Sequence, residues 1–192
     1  MALVGSVIQA ADFPSAAWAA DDTTQSNVSS TSFIPGSPEV SVRFVAPTSG
    51  MVLLSVGLSA RGDVDRVHLA PEVRVGSASG PVVLSGDVTR RGVGTPAGIP
   101  NYVYRSRTTI LDGLTPGQTY FARTMQKVSG GNTADINVRD ITVAPLPLGG
   151  AYAGRPVAAQ DFPDAVWAQD ATQINNPNNR SFTAGSPQVA VT

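Results

Sequence analysis

Between Val40 and Val143 the chain alternates between short strand-like runs and strong turn signals. No stretch carries the period of about 3.6 residues that marks a long amphipathic helix. The runs are Val40–Val45, Val52–Ala60, Arg66–Val75, Val82–Gly86, Tyr102–Leu111, Thr119–Val128 and Asp135–Val143. Between them lie PTSG (47–50), ARGD (60–63), GVGTPAGIP (92–100), LTPGQ (114–118) and SGGN (129–132), rich in the residues that turns select. Strands at this spacing bury one face each against a second sheet, which predicts an all-β antiparallel sandwich or jelly roll. In the last run, alternation places Ile136, Val138, Asp140 and Thr142 on one face and Asn137, Arg139, Ile141 and Val143 on the other.

The chain also begins twice. Asp12–Val42 and Asp161–Val191 align without a gap at a constant offset of 149 residues, with 16 of 31 paired positions identical. Chance does not produce this, so a unit of about 150 residues is repeated. The expected organisation is an N-terminal arm (1–39), a β-sandwich body (40–147), a Pro/Gly-rich connector (148–157) and a truncated second copy of the arm (158–192). In the first arm, DFPSAAWAAD suits a short helical turn, with Asp12 able to cap it and Pro14 tolerated in its first turn. Each arm carries large apolar residues but is too short to bury them by itself. Phe13, Trp18 and Phe33, with Phe162, Trp167 and Phe182 in the second copy, are therefore candidate anchors onto the body or a neighbouring subunit. Duplication of this kind points to an array or assembly protein rather than to an enzyme.

Composition narrows the partners. Thirteen basic and 14 acidic residues give a net charge of −1, Lys127 is the only lysine, and the arginines are scattered. Nucleic acid and anionic membranes both need a concentrated basic footprint, so neither is an expected partner. With 42% hydrophobic and 14% charged residues the chain is expected to fold without disulfides, since it has no cysteine. No apolar run approaches a membrane span, and the N-terminal segment reads neither as a signal peptide nor as an anchor. Asn27 and Asn179 head glycosylation triplets, which are read as unused.

The residues that carry chemistry are sparse, and neither a catalytic site nor a metal or other cofactor is expected. His68 is the only histidine, placed between Val67 and Leu69 in a strand pattern, and no serine sits in a G-x-S-x-G elbow. Asp63 and Asp65 lack the further ligands of a calcium loop and read as solvated turn carboxylates. Arg61-Gly62-Asp63 is turn chemistry between strands. Gly92 to Gly98 is interrupted by Pro96 and lacks the strand–helix context of a dinucleotide fingerprint. Tyr102 and Tyr104 fall on one strand face beside Arg105 and Arg107, and Tyr102, Tyr104 and Arg105 form a candidate glycan contact. Core or intersubunit packing is the competing reading of those tyrosines.

The segment RTTILDGLTPGQTYFAR from Arg107, followed by SGGNTADINVRDITVAPLP, resembles the C-terminal strands of small β-sandwich modules in tail, fibre and head-attached proteins of actinobacterial phages. FVAPTSGMVLLSV (44–56) is similar to the first hairpin of such modules. Their architecture is that of C1q/TNF-like jelly rolls, which form homotrimers. The resemblance implies a virion component assembled in the host cytoplasm, with itself, other virion proteins and a host surface glycan as partners. The expected function is a non-enzymatic module of a tail or head fibre contributing to assembly and host attachment. A capsid decoration protein whose arms bridge capsomers, and a carbohydrate-binding domain, are the two alternatives.

Overall fold

The structure is a computed structural model that describes residues 7–8, 10–146 and 151–152, with side chains from 11 to 146. These belong to the first of two units, Met1–Arg155. The second unit, Pro156–Thr192, lies outside the described residues, and with it Phe162, Trp167 and Phe182. Most of the connector lies outside them too.

In chain order the strands are β1 (Val7–Ile8), β2 (Ala17–Asp21), β3 (Gln25–Val28), β4 (Ile34–Pro35), β5 (Ser41–Val45), β6 (Val52–Gly62) and β7 (Val67–Val75). There follow β8 (Val82–Leu84), β9 (Val93–Gly94), β10 (Ile99–Leu111), β11 (Thr119–Val128), β12 (Ala134–Pro145) and β13 (Ala151–Tyr152). Every strand pattern read from the sequence forms a strand within a few residues of its expected ends. β10, β6, β12 and β2 make one antiparallel sheet, with β3 following β2 along β12. β11 and β7 centre the other, with β4 and β5 on the free side of β11 and β8 and β9 on that of β7. β1 and β13 form a separate parallel pair.

The two sheets close on a shared core. Val52, Leu54, Val56 and Leu58 of β6 and Ile141 and Val143 of β12 belong to one buried cluster with Leu69 and Val73 of β7 and Phe44 of β5. Phe44 stacks on Tyr120 with ring centroids 5.6 Å apart. A register shift between Ile136 and Val138 corrects the expected faces of β12. The extra residue of this bulge turns Ile136 inward with Arg139, Ile141 and Val143, and leaves Val138, Asp140 and Thr142 outward. That is why simple alternation gave both faces mixed polarity.

The arm departs from its expected form. Its helical turn is confined to a 3-10 turn at Ala10–Asp12, and Ala17–Asp21 is a strand. Five residues cannot offset the cost of nucleating a helix, whatever the propensity of alanine. Laid along β12, they pair from Asp21 with Arg139 to Ala17 with Val143 and cover an edge of unpaired backbone groups. Asp12 is buried rather than at a helix cap, and Thr48 Oγ1 donates to its carboxylate.

Candidate functional site

Alternation in β2 decides what the arm shows to solvent. Ala17 and Ala19 pack against the core, and Trp18 points the other way, 74% exposed. Of the two expected anchorages, the body or a neighbouring subunit, Trp18 does not take the first: the alanines pack there, and the indole stands on the outer face of the first sheet. Phe13 is also exposed. Phe33 is half-buried, its ring 5.1 Å from Lys127 Nζ and against Gly86.

The strand register places other residues on the same outer face as Trp18. Trp18 is level with Thr142 of β12, which is level with Ser55 of β6 and then Thr108 of β10. Thr108 Oγ1 donates to Ser55 Oγ at 3.0 Å. One step along the strands, Ala20, Asp140, Gly57 and Ser106 form the next row. Tyr104 reaches across that row and its hydroxyl donates to Asp140 Oδ2 at 2.8 Å. Only a glycine at 57 permits this, because a Cβ there would meet both the Tyr104 hydroxyl and the Asp140 carboxylate. Burial, aided by the hydrogen bond to Asp140, pushes the Tyr104 phenol up to about 12. The residue nevertheless stays 55% exposed.

Tyr102 lies at the end of this face, with the Arg61 guanidinium 5.0 Å above its ring centroid. Arg61 is held by Asp135 at 2.7 Å, and Asp135 also accepts from the Asn27 amide at 3.0 Å. The Arg-Gly-Asp triplet thus has its arginine engaged on the sheet, with Arg61 and Gly62 inside β6. Arg105 is level with Leu58, an inward residue, so it lies on the opposite face from Tyr102 and Tyr104. The candidate trio is therefore split, two on the face and one behind it. Arg107, also on the far side, donates to the carbonyls of Thr89 and Gly92, both at 3.2 Å.

The remaining chemistry-bearing residues are elsewhere. Asp65 is not a solvated turn carboxylate: it is 8% exposed and accepts from Ser129 Oγ at 3.1 Å and the Asn132 amide at 2.8 Å, pinning the β11–β12 turn. His68 is half-buried, and burial together with Lys127 and Arg66 holds its imidazole below the usual range. Among the described residues no group of three or more His, Asp or Glu is placed to hold a metal ion.

No protein-family model matches the chain, and no curated protein is similar to it in sequence. Solved structures with a similar backbone include infectious bursal disease virus, Gx strain, at 13% identity and a TM-score of 0.45, covering 68% of this chain and 32% of that one. The enzymatically active domain of bacteriophage CBA120 tailspike protein 4 matches at 12% identity and a TM-score of 0.32, covering 65% and 19%. The C-terminal CBM6 of LamC from Zobellia galactanivorans matches at 16% identity and a TM-score of 0.30, covering 67% and 99%. The chain thus spans about a third of the length of the viral chain. None of these three is an actinobacterial phage module or a C1q/TNF-like protein.

Sequence reasoning named Trp18 and the two tyrosines in separate arguments; the sheet register unites them. It missed Asp140 and Gly57, whose roles arise only when Tyr104 crosses a neighbouring strand.

Proposed function

We propose that this protein is a non-enzymatic structural module of a virion, a β-sandwich of a tail or head fibre that contributes to assembly and host attachment. The observation that supports this most is the duplicated arm. Its first copy is built into the sandwich, with β2 and β3 on β12 and β4 on β11 ahead of β5 of the body, so it covers part of one edge of both sheets. A closing segment that recurs at a fixed offset suits a modular array, in which each unit needs its own edges covered. The resemblance of residues 44–56 and 107–147 to phage modules agrees with it.

A reconstruction of the particle whose genome encodes this chain tests the reading. Sandwich-shaped density on a tail or head fibre is expected, whereas particles free of the protein overturn the proposal. Homotrimer formation, the finer part of it, predicts three times the chain mass by sedimentation, and a stable monomer at micromolar concentration removes that part.

A further inference from the structure

We infer that the outer face of the first sheet, from Trp18 to Tyr104, is a binding platform for a neutral saccharide chain. The inference does not depend on where the protein is assembled.

The two copies of the arm supply the first argument. Identical inward positions have structural reasons in the first copy: Ala19 packs on the core, Asp21 pairs with Arg139, and Val40 and Val42 are buried. Around Trp18 the exposed Ser15, Ala20, Asp22 and Thr24 stand opposite Asp164, Gln169, Ala171 and Gln173, whereas the exposed Phe13, Ala16 and Thr23 are kept. Trp18 is 74% exposed and the sandwich does not use its ring, yet position 167 is also tryptophan. A contact outside the fold accounts for a large exposed indole kept in both copies, with the exposed Phe13 kept beside it in sequence.

The second argument is the chemistry of the floor between the rings. Thr142, Ser55, Thr108, Ala20 and Asp140 offer hydroxyls, a methyl and a carboxylate in two adjacent rows. Protein interfaces are depleted of Ser, Ala and Asp at their core, so this floor fits a protein partner poorly. A phosphate backbone meets Asp140 here and finds Arg61 already paired with Asp135. A pyranose ring has the complementary character: an apolar C–H face for an aromatic plane, and equatorial hydroxyls for short polar side chains. Trp18 and Tyr104 supply two such planes on either side of Asp140, and rigid aromatic side chains lose little entropy on contact.

The test uses the full chain with Trp167→Phe, which leaves Trp18 as the sole tryptophan because the protein has two. Its fluorescence is followed against cellohexaose, laminarihexaose, mannohexaose and a β-1,4-galactohexaose, and affinities are measured by calorimetry on the natural chain. At least one sugar is expected to shift the Trp18 emission. Trp18→Ala is then expected to weaken binding about tenfold or more with an unchanged melting temperature, and Tyr104→Ala to weaken it as well. The inference is overturned if none of the four perturbs Trp18 at millimolar concentration, or if binding survives both substitutions. A Trp18→Ala variant that instead loses concentration-dependent self-association assigns the face to contacts between copies, which also overturns it.

Discussion

Among the described residues Arg139 has the largest fully buried side chain, and it sits between the two sheets beside the equally buried Gln126. Its guanidinium donates to Asp21, to Gln25 Oε1 at 3.0 Å and to Gln126 Oε1 at 3.4 Å, and Gln126 in turn donates to Gln25 at 2.9 Å. Gly36 is required beside it, because a Cβ there would occupy the place of Nη1. Burial alone would raise the Asp21 carboxyl, but hydrogen bonds from Thr23 and Arg139 outweigh it and hold it below the usual range. Asp21→Ala leaves the buried cation without its counter-ion and is expected to cost about 3 kcal/mol in denaturant unfolding; a loss within ~0.5 kcal/mol shows the pair to be incidental. Tyr104 allows a milder experiment on the outer face. With its phenol raised to about 12, its contribution is present below the ordinary tyrosine range and lost as pH rises through the folded value. Asp140→Asn or Gly57→Ala, each disturbing the contact, should bring one tyrosine back toward about 10 in an absorbance titration. An unchanged alkaline titration in both variants contradicts the geometry.

At the level of elements, β2 is where local and tertiary preference disagree. Its sequence, AWAAD, favours a helix by composition, and the free edge of β12 overrules it. Ala20 is exposed and level with Asp140, so it reports the local state without disturbing the core. Ala20→Val is expected to raise stability by a few tenths of a kcal/mol in a strand and to lower it by as much in a helix. Thermal melts of the two chains give the sign. The longer elements were legible because hydrophobic alternation and turn residues agree: LTPGQ makes a turn with Gly117 at φ 75°, and Thr119–Val128 follows with its expected ends. The bulge in β12 was not legible, because Asn137 looks like any other polar residue until two strands are set side by side.

Across the whole molecule, the outer face of the second sheet carries a ladder of charges, with Phe121 paired with Arg74 and Phe33 against Lys127. Arg123 joins Glu39 at 2.8 Å and Glu72 at 2.8 Å, and Arg74 meets Glu72 at 2.7 Å. Burial raises the Glu72 carboxyl, yet the hydrogen bonds and charges of Arg74 and Arg123 outweigh it and set it below its ordinary 4.5. The stabilisation is therefore present above the ordinary carboxylate range and is lost as pH falls through the lowered folded value. Glu72→Gln should melt lower than the natural chain at pH 7, with the gap narrowing on acidification below about pH 4. A gap that stays constant between pH 7 and 3 removes the ladder from the account.

The sequence by itself determined the all-β class, the positions of the main strands and the existence of a repeated arm. The first two depend on local alternation and turn stereochemistry, which act over a few residues, and the third on identity between two segments compared directly. The tertiary structure decided the fate of the arm and the composition of the face. Whether AWAAD becomes a helix or a strand depends on an edge more than 110 residues away, as the 118-residue separation of Asp21 and Arg139 illustrates. Whether Trp18 is inside or outside depends on which face of that strand meets the core, because a side-chain period of two leaves no third choice. Once Ala17 and Ala19 fit against the core, the indole had to face solvent beside Thr142, on the surface that Tyr104 also occupies.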